Sequence, residues 1–214
     1  VDLNAEYNIL EQVVPGYGTY QIYEHTAETI GSPDYLITNL KTAYENGYPW
    51  ILTNPYRKYQ GLEMMFNKRF SNRWQLLASY TLGKASGSCN NDWAADIGPN
   101  SWINADGHST YDPTHMIKIQ GTYIVPKIDL SINAYFRAIT GNTWTARYRT
   151  AALVQGRVTF MVEPRGSNHY PMEKVLDLRL EKIFTFREKY KLGVMLDVFN
   201  VFNADTITSW GSRV

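Results

Sequence analysis

One stretch limits the architecture more than any other: YRKYQGLEMMFNKRFSNRWQLLASYTLGK, residues 56–84. Leu62, Met64, Phe66 and Phe70 share one parity, and Tyr59, Gly61, Glu63, Asn67 and Arg69 share the other, which is the two-residue period of a strand. Trp74, Leu76, Ala78, Tyr80 and Leu82 repeat that division against Gln75, Ser79, Thr81 and Gly83. Only Ser71-Asn72-Arg73 stands between the arms, with Asn72 available for a positive φ. Ordinary strands run about 5–6 residues, whereas a tilted strand crossing a bilayer needs about 9–11. Both arms reach the second range, and Phe70 and Trp74 lie at the turn, where a membrane strand meets the headgroups. The stretch therefore predicts a transmembrane β-hairpin.

The same alternation recurs, giving membrane-length strands at residues 1–8, 57–70, 74–84, 115–125, 130–140, 174–183 and 190–199. Shorter β-like runs are expected at 17–25, 35–40, 143–149 and 157–162, the first two as a hairpin inside a loop. The connections alternate between long, Gly-, Ser-, Asn- and Asp-rich segments and short turns such as Pro126-Lys127 and residues 185–188. Short turns on one side and long loops on the other is the outer-membrane arrangement, in which the short ones are periplasmic. A soluble sandwich has no reason to sort its loops this way. The expected fold is all-β: a fragment of an antiparallel transmembrane β-barrel with about seven long strands.

Composition agrees. No run of 18 or more apolar residues occurs, so a helical span is excluded. The 16 Tyr and 6 Trp suit interfaces. A net charge of +1 removes the case for a nucleic-acid binder. The single cysteine, Cys89, forbids an internal disulfide. The chain opens on VDLNAEYN with no leader, so residues upstream are expected in a longer precursor.

Chemical motifs are few. Asn90, Asn91, Asp92, Asp96, Asn104, Asp106 and Asp112 offer hard oxygens, but without the spacing of a calcium loop they read as Asx turns. His108 and His115 lack companions for a metal site. Ser109 beside His108 makes no triad, and no G-x-S-x-G elbow occurs. Gly16-Tyr17-Gly18 is no nucleotide loop. No catalytic residue, metal or cofactor is expected, and the chain is expected not to be an enzyme. The candidate ligand-binding residues are the loop aromatics Trp50, Trp93, Trp102, Tyr111, Trp144 and Tyr148, suited to stacking on a small molecule, peptide or glycan. The charges Glu63, Lys118, Arg137, Asp177, Arg179, Glu181, Lys191 and Asp197 fall on the polar parity and are expected to face the lumen. The expected partner of the other parity is outer-membrane lipid.

YRKYQGLEMMFNKRFSNRWQLLASYTLGK, DPTHMIKIQGTYIVPK, LDLRLEKIF and KLGVMLDVFNVFNADTITSW resemble the C-terminal barrel segments of TonB-dependent receptors of the Oar-like group. The resemblance covers residues 55–210, most specifically NKRFSNRWQLLASYT and LDVFNVFN. It implies a barrel of about 22 strands, filled by an N-terminal plug, that imports a ligand with energy delivered by TonB in the bacterial outer membrane. Residues 1–214 are then expected to be a partial C-terminal barrel, lacking the plug domain, the TonB box and the final strand. A different class of function, a structural or adhesive barrel whose long loops bind a surface or polymer, fits the same strands.

Overall fold

The computed structural model describes residues 6–28, 40–88, 98–109, 113–187 and 189–214. In chain order these form β1 (Tyr7–Val14), β2 (Gly18–His25), α1 (Leu40–Glu45), β3 (Arg57–Ser71), β4 (Trp74–Gly87), a 3-10 turn at Pro99–Trp102 and β5 (Gly107–His108). There follow β6 (His115–Val125), β7 (Leu130–Ile139), β8 (Thr143–Trp144), β9 (Arg147–Arg149), β10 (Thr159–Met161), β11 (Asn168–His169), β12 (Glu173–Phe186) and β13 (Tyr190–Val198).

The main sheet is antiparallel and runs β13-β12-β7-β6-β4-β3, with β5 added beside β4. The short turns close it by left-handed backbone: Asn72 and Arg73 have φ of 52° and 72°, the mirror-image turn that suits twisted strands. Lys127, Asp129 and Arg187 supply positive φ at the other two turns. The described residues form an open sheet, with β3 and β13 at its edges.

Register decides what the two faces carry. One row across the sheet reads Phe66, Ala78, Ile119, Phe136, Leu176, and a second reads Trp74, Tyr123, Ile132, Leu180, Leu196. Because side chains in register share a side, the middle of this face is apolar. Phe202 meets Phe136 at 6.3 Å between ring centres, but much of the face stays open: Leu62, Phe66 and Val194 are 53%, 56% and 52% exposed. Leu76, Ile132 and Leu178 share that side and are half-buried. They converge on no dry centre, as a sandwich would require. On the opposite face Tyr59 lies across the paired Gly61 and Gly83, where a Cβ on Gly61 would come within 2.6 Å of its hydroxyl. An aromatic ring there covers backbone that glycine leaves bare.

The buried cores lie instead in the long connections. Val14, Ile22, Ala146, Phe160 and Val162 form one, against Leu10, Tyr20 and Ile103, and Ala43, Ile51, Trp102 and Ala105 form the other.

The amino-terminal part differs from the sequence expectation. Residues 1–5 lie outside the described residues, and Tyr7 and Asn8 open β1, which pairs with β2 in its own hairpin and does not join the main sheet. The physical reason is local: Pro15-Gly16 turns the chain, with Gly16 at φ 80°, and brings Leu10 opposite Ile22 on the side that packs against Phe160. Pairing of 17–25 with 35–40 is thereby replaced. Residues 35–39 lie outside the described residues, while Leu40 begins α1, whose Leu40 and Ala43 share the face that meets Ile51 and Trp102.

Candidate functional site

The polar face of the sheet is the first candidate surface. Glu63 lies opposite Thr81, Lys118 between Ser79 and Arg137, Asp177 beside Tyr135, Glu181 between Ser131 and Met195, and Lys191 beside Thr185. With Arg137 and the opposed Arg179 and Asp197, all eight expected charges fall on one face. Arg179 donates Nε to Asp197 Oδ1 at 2.6 Å and a second N–H to Oδ2 at 3.0 Å, a two-pronged pair tying β12 to β13. Arg137 pairs with Glu173, and Asp177 accepts the Asn200 N–H at 2.8 Å. Gln75 donates to Thr122, which donates to Asn133 Oδ1 at 2.8 Å. Among the described residues Glu63, Lys118, Glu181 and Lys191 have no ion-pair partner. Like charges directly opposite repel, so Lys118 across from Arg137 needs water or a counter-charge on this side. In hydrocarbon each such cation would cost about 2–4 kcal/mol. The two faces therefore have different solvents.

The second candidate surface is the cap formed by the long connections, which all leave the same end of the sheet. Asn100, 7% exposed, accepts the Tyr23 N–H at 2.9 Å and donates to the Tyr23 carbonyl at 2.7 Å, imitating a strand partner for β2. Tyr20 donates to the Val162 carbonyl at 2.6 Å. Burial, then the carboxylate of Glu163, raises the Tyr20 phenol above the ordinary tyrosine range. The buried Arg165 donates to the Gly87 carbonyl, while its own carbonyl accepts the His108 N–H at 2.9 Å. Gly107 passes so close that a Cβ there would lie 2.0 Å from the Arg165 carbonyl oxygen, which only glycine permits. Residues past β13 join too: Arg147 accepts the Val214 N–H at 2.9 Å and donates to the Ser212 carbonyl at 2.8 Å.

The loop aromatics are distributed through this cap. Trp50 is half-buried between Tyr7 and Tyr23, 5.0 Å and 6.2 Å between ring centres. Trp144 stacks edge-on with Trp210 at 5.3 Å, and Tyr148 leans on Phe160. Trp102 departs from the expectation of a ring open to ligand: it is 7% exposed, because Ala43, Ile51 and Ala105 close over it. Trp93 and Tyr111 lie outside the described residues, as do Asn90, Asn91, Asp92, Asp96 and Asp112. Asn104 donates to the Met161 carbonyl, and Asp106 accepts the Tyr56 phenol. His108 lies 6.0 Å from His169, whereas His115 stacks on Tyr80. Among the described residues no group of three or more His, Cys, Asp or Glu could hold a metal, and no helix is long and apolar enough to cross a membrane.

Sequence reasoning missed Arg165 and Asn100. Each stands in a stretch that reads as turn, and its partner lies 78 or 77 residues away.

Comparison with known proteins gives two matches. A family model described as an outer membrane beta barrel domain matches residues 44–147. The TonB-dependent transporter Oar of Myxococcus xanthus is 24% identical over 224 residues, covering 94% of this chain and 20% of that protein. The chain thus spans about one fifth of the length of that relative. No solved structure matches. Together with the two-solvent sheet, these matches put the chain in the bacterial outer membrane, as part of an antiparallel β-barrel wall.

Proposed function

For a wall segment of an outer-membrane β-barrel, we propose a role in TonB-dependent import of the Oar-like kind. The ligand is a small molecule, peptide or glycan taken up at the cap, and the wall acts by binding and containment with no bond-breaking chemistry. One observation carries the reading: the register gathers all eight charges onto the face turned away from lipid, leaving several without an ion-pair partner among the described residues. A lumen filled by a hydrophilic plug would use this fixed charge, each charge meeting a partner across the interface. A water-filled pore would also solvate fixed charge, so the preference for a plug rests on the similarity to a TonB-dependent transporter. The apolar face meets outer-membrane lipid, the energy comes from the TonB complex, and Trp50, Trp144 and Tyr148 are the aromatic residues offered for contact with ligand.

The test is accumulation of fluorescent oligopeptides and oligosaccharides by cells producing the complete gene product, with TonB intact or disabled. Uptake lost on disabling TonB is the expected result. Uptake that is indifferent to TonB would sink the import reading.

The adhesive alternative draws on a different feature, the interlocking of the long connections, since a rigid outer surface also suits attachment to a polymer. Attachment of such cells to a surface without uptake of either probe would favour it.

A further inference from the structure

The apolar face is not apolar to its end. Lys68 lies opposite Leu76, and Lys182 opposite Leu130 and Val194, so both lysines belong to the lipid side, one near each edge of the sheet. Each reaches back toward the short-turn end. The Lys68 ammonium lies 3.9 Å over the Trp74 ring and donates to the Ser71 hydroxyl at 2.8 Å and the Trp74 carbonyl at 3.2 Å. The Lys182 ammonium donates to the Ile128 carbonyl and lies 5.8 Å from the Phe184 ring. Carbonyls and rings orient an ammonium without cancelling its charge, and among the described residues neither lysine has a carboxylate partner.

The turns beside them add to this charge. Lys127, Arg187 and Lys189 belong to the same rim; Glu188, between the last two in sequence, lies outside the described residues. Asp129 of this rim is already paired with Arg73 at 3.3 Å. Cations thus stand where the strands leave hydrocarbon at this end, as Lys58, Lys84 and Lys174 do on the same face at the other. Long cationic side chains on a lipid-facing surface extend to the phosphate level, with aromatic rings just beneath. Basic residues at that level attract anionic lipid.

We infer that this rim, anchored by Lys68 and Lys182, binds the phosphate groups of anionic phospholipids in the leaflet on the short-turn side. Charge complementarity selects the occupant, and the position of both lysines on the lipid face selects a lipid over a soluble anion. The inference rests on placement in the outer membrane and is independent of import.

The test is lipid titration of the detergent-folded full chain by native mass spectrometry, comparing phosphatidylglycerol with phosphatidylcholine. Preferential binding of phosphatidylglycerol is expected, falling by about fivefold for each cation removed in K68Q and K182Q. K68R and K182R should retain it, and K41Q in the cap should leave it unchanged. Equal binding of the two lipids, survival of the preference in the double Gln variant, or equal loss in K41Q would overturn the inference. So would competition by inorganic phosphate as effective as that by phosphatidylglycerol. Should the Gln variants fail to fold, the wild-type chain decides: the preference is screened by high salt if charge carries it, and its persistence there counts against the proposal.

Discussion

Tyr56 shows how a single side chain links two connections of the cap. It stands one residue before β3, and its hydroxyl donates to Asp106 Oδ1 at 2.6 Å, beside the strand pair formed by Gly107 and Gly87. That hydrogen bond to Asp106, followed by desolvation, raises the phenol above the ordinary tyrosine range, since ionisation would set two anions against each other. The sign follows from which form the fold favours. The neutral phenol is stabilised, so its contribution is complete below the unfolded tyrosine value and is lost as pH rises through the higher folded one. An alkaline titration followed by tyrosinate absorbance should show a late-ionising component, to which Tyr20 also contributes, that Tyr56→Phe reduces by one phenol. An unchanged late component in the variant would assign it elsewhere. At this scale the sequence was informative where periodicity speaks and silent where it does not. Parity alone grouped all eight charges on one face, as the register does, because a strand offers only two. Nothing local distinguished Trp102, enclosed by residues from distant stretches, from Trp50.

Strands were legible as elements because the alternation is long, and their ends were less so. β4 runs to Gly87, beyond the expected 84, since β5 supplies a partner for Ser86 and Gly87 after the apolar period has faded. β12 spans Glu173–Phe186, beyond the expected 174–183, for a similar reason: β7 pairs Glu173 at one end and β13 pairs Phe186 at the other. The one-turn helix α1 has too few residues to display a period. The β1–β2 hairpin and the 3-10 turn are coupled through Asn100, whose amide serves both backbone groups of Tyr23. Asn100→Ala should cost about 1–3 kcal/mol by leaving buried backbone groups unmatched. It should make residues 6–28 and 98–109 susceptible to limited proteolysis while β6 and β7 stay resistant. Equal susceptibility in wild type and variant would show that the two segments are held by other means.

For the molecule as a whole the decisive property is that its two sides require different surroundings. Ile119 and Gln120 are neighbours in the middle of β6 and point to opposite sides. Ile119→Arg should weaken folding into lipid vesicles by about 2–4 kcal/mol, the cost of a cation near the bilayer midplane, whereas Gln120→Arg should be nearly neutral. The measurement is the heat-sensitive mobility shift of the folded form across a denaturant series. A reversed order of the two variants would mean that the sheet had been assigned its solvents the wrong way round.

Because Arg165 clasps Gly87, Gly107 admits no side chain beside Arg165, and Asn100 completes β2, the connections at the mouth are fitted to one another as well as to the strands below. A replacement in one of them is felt in the others. New surface chemistry at this rim would then arise through correlated exchanges across distant stretches of the gene, and grafting a single loop from a relative would bring its ill-fitting neighbours with it.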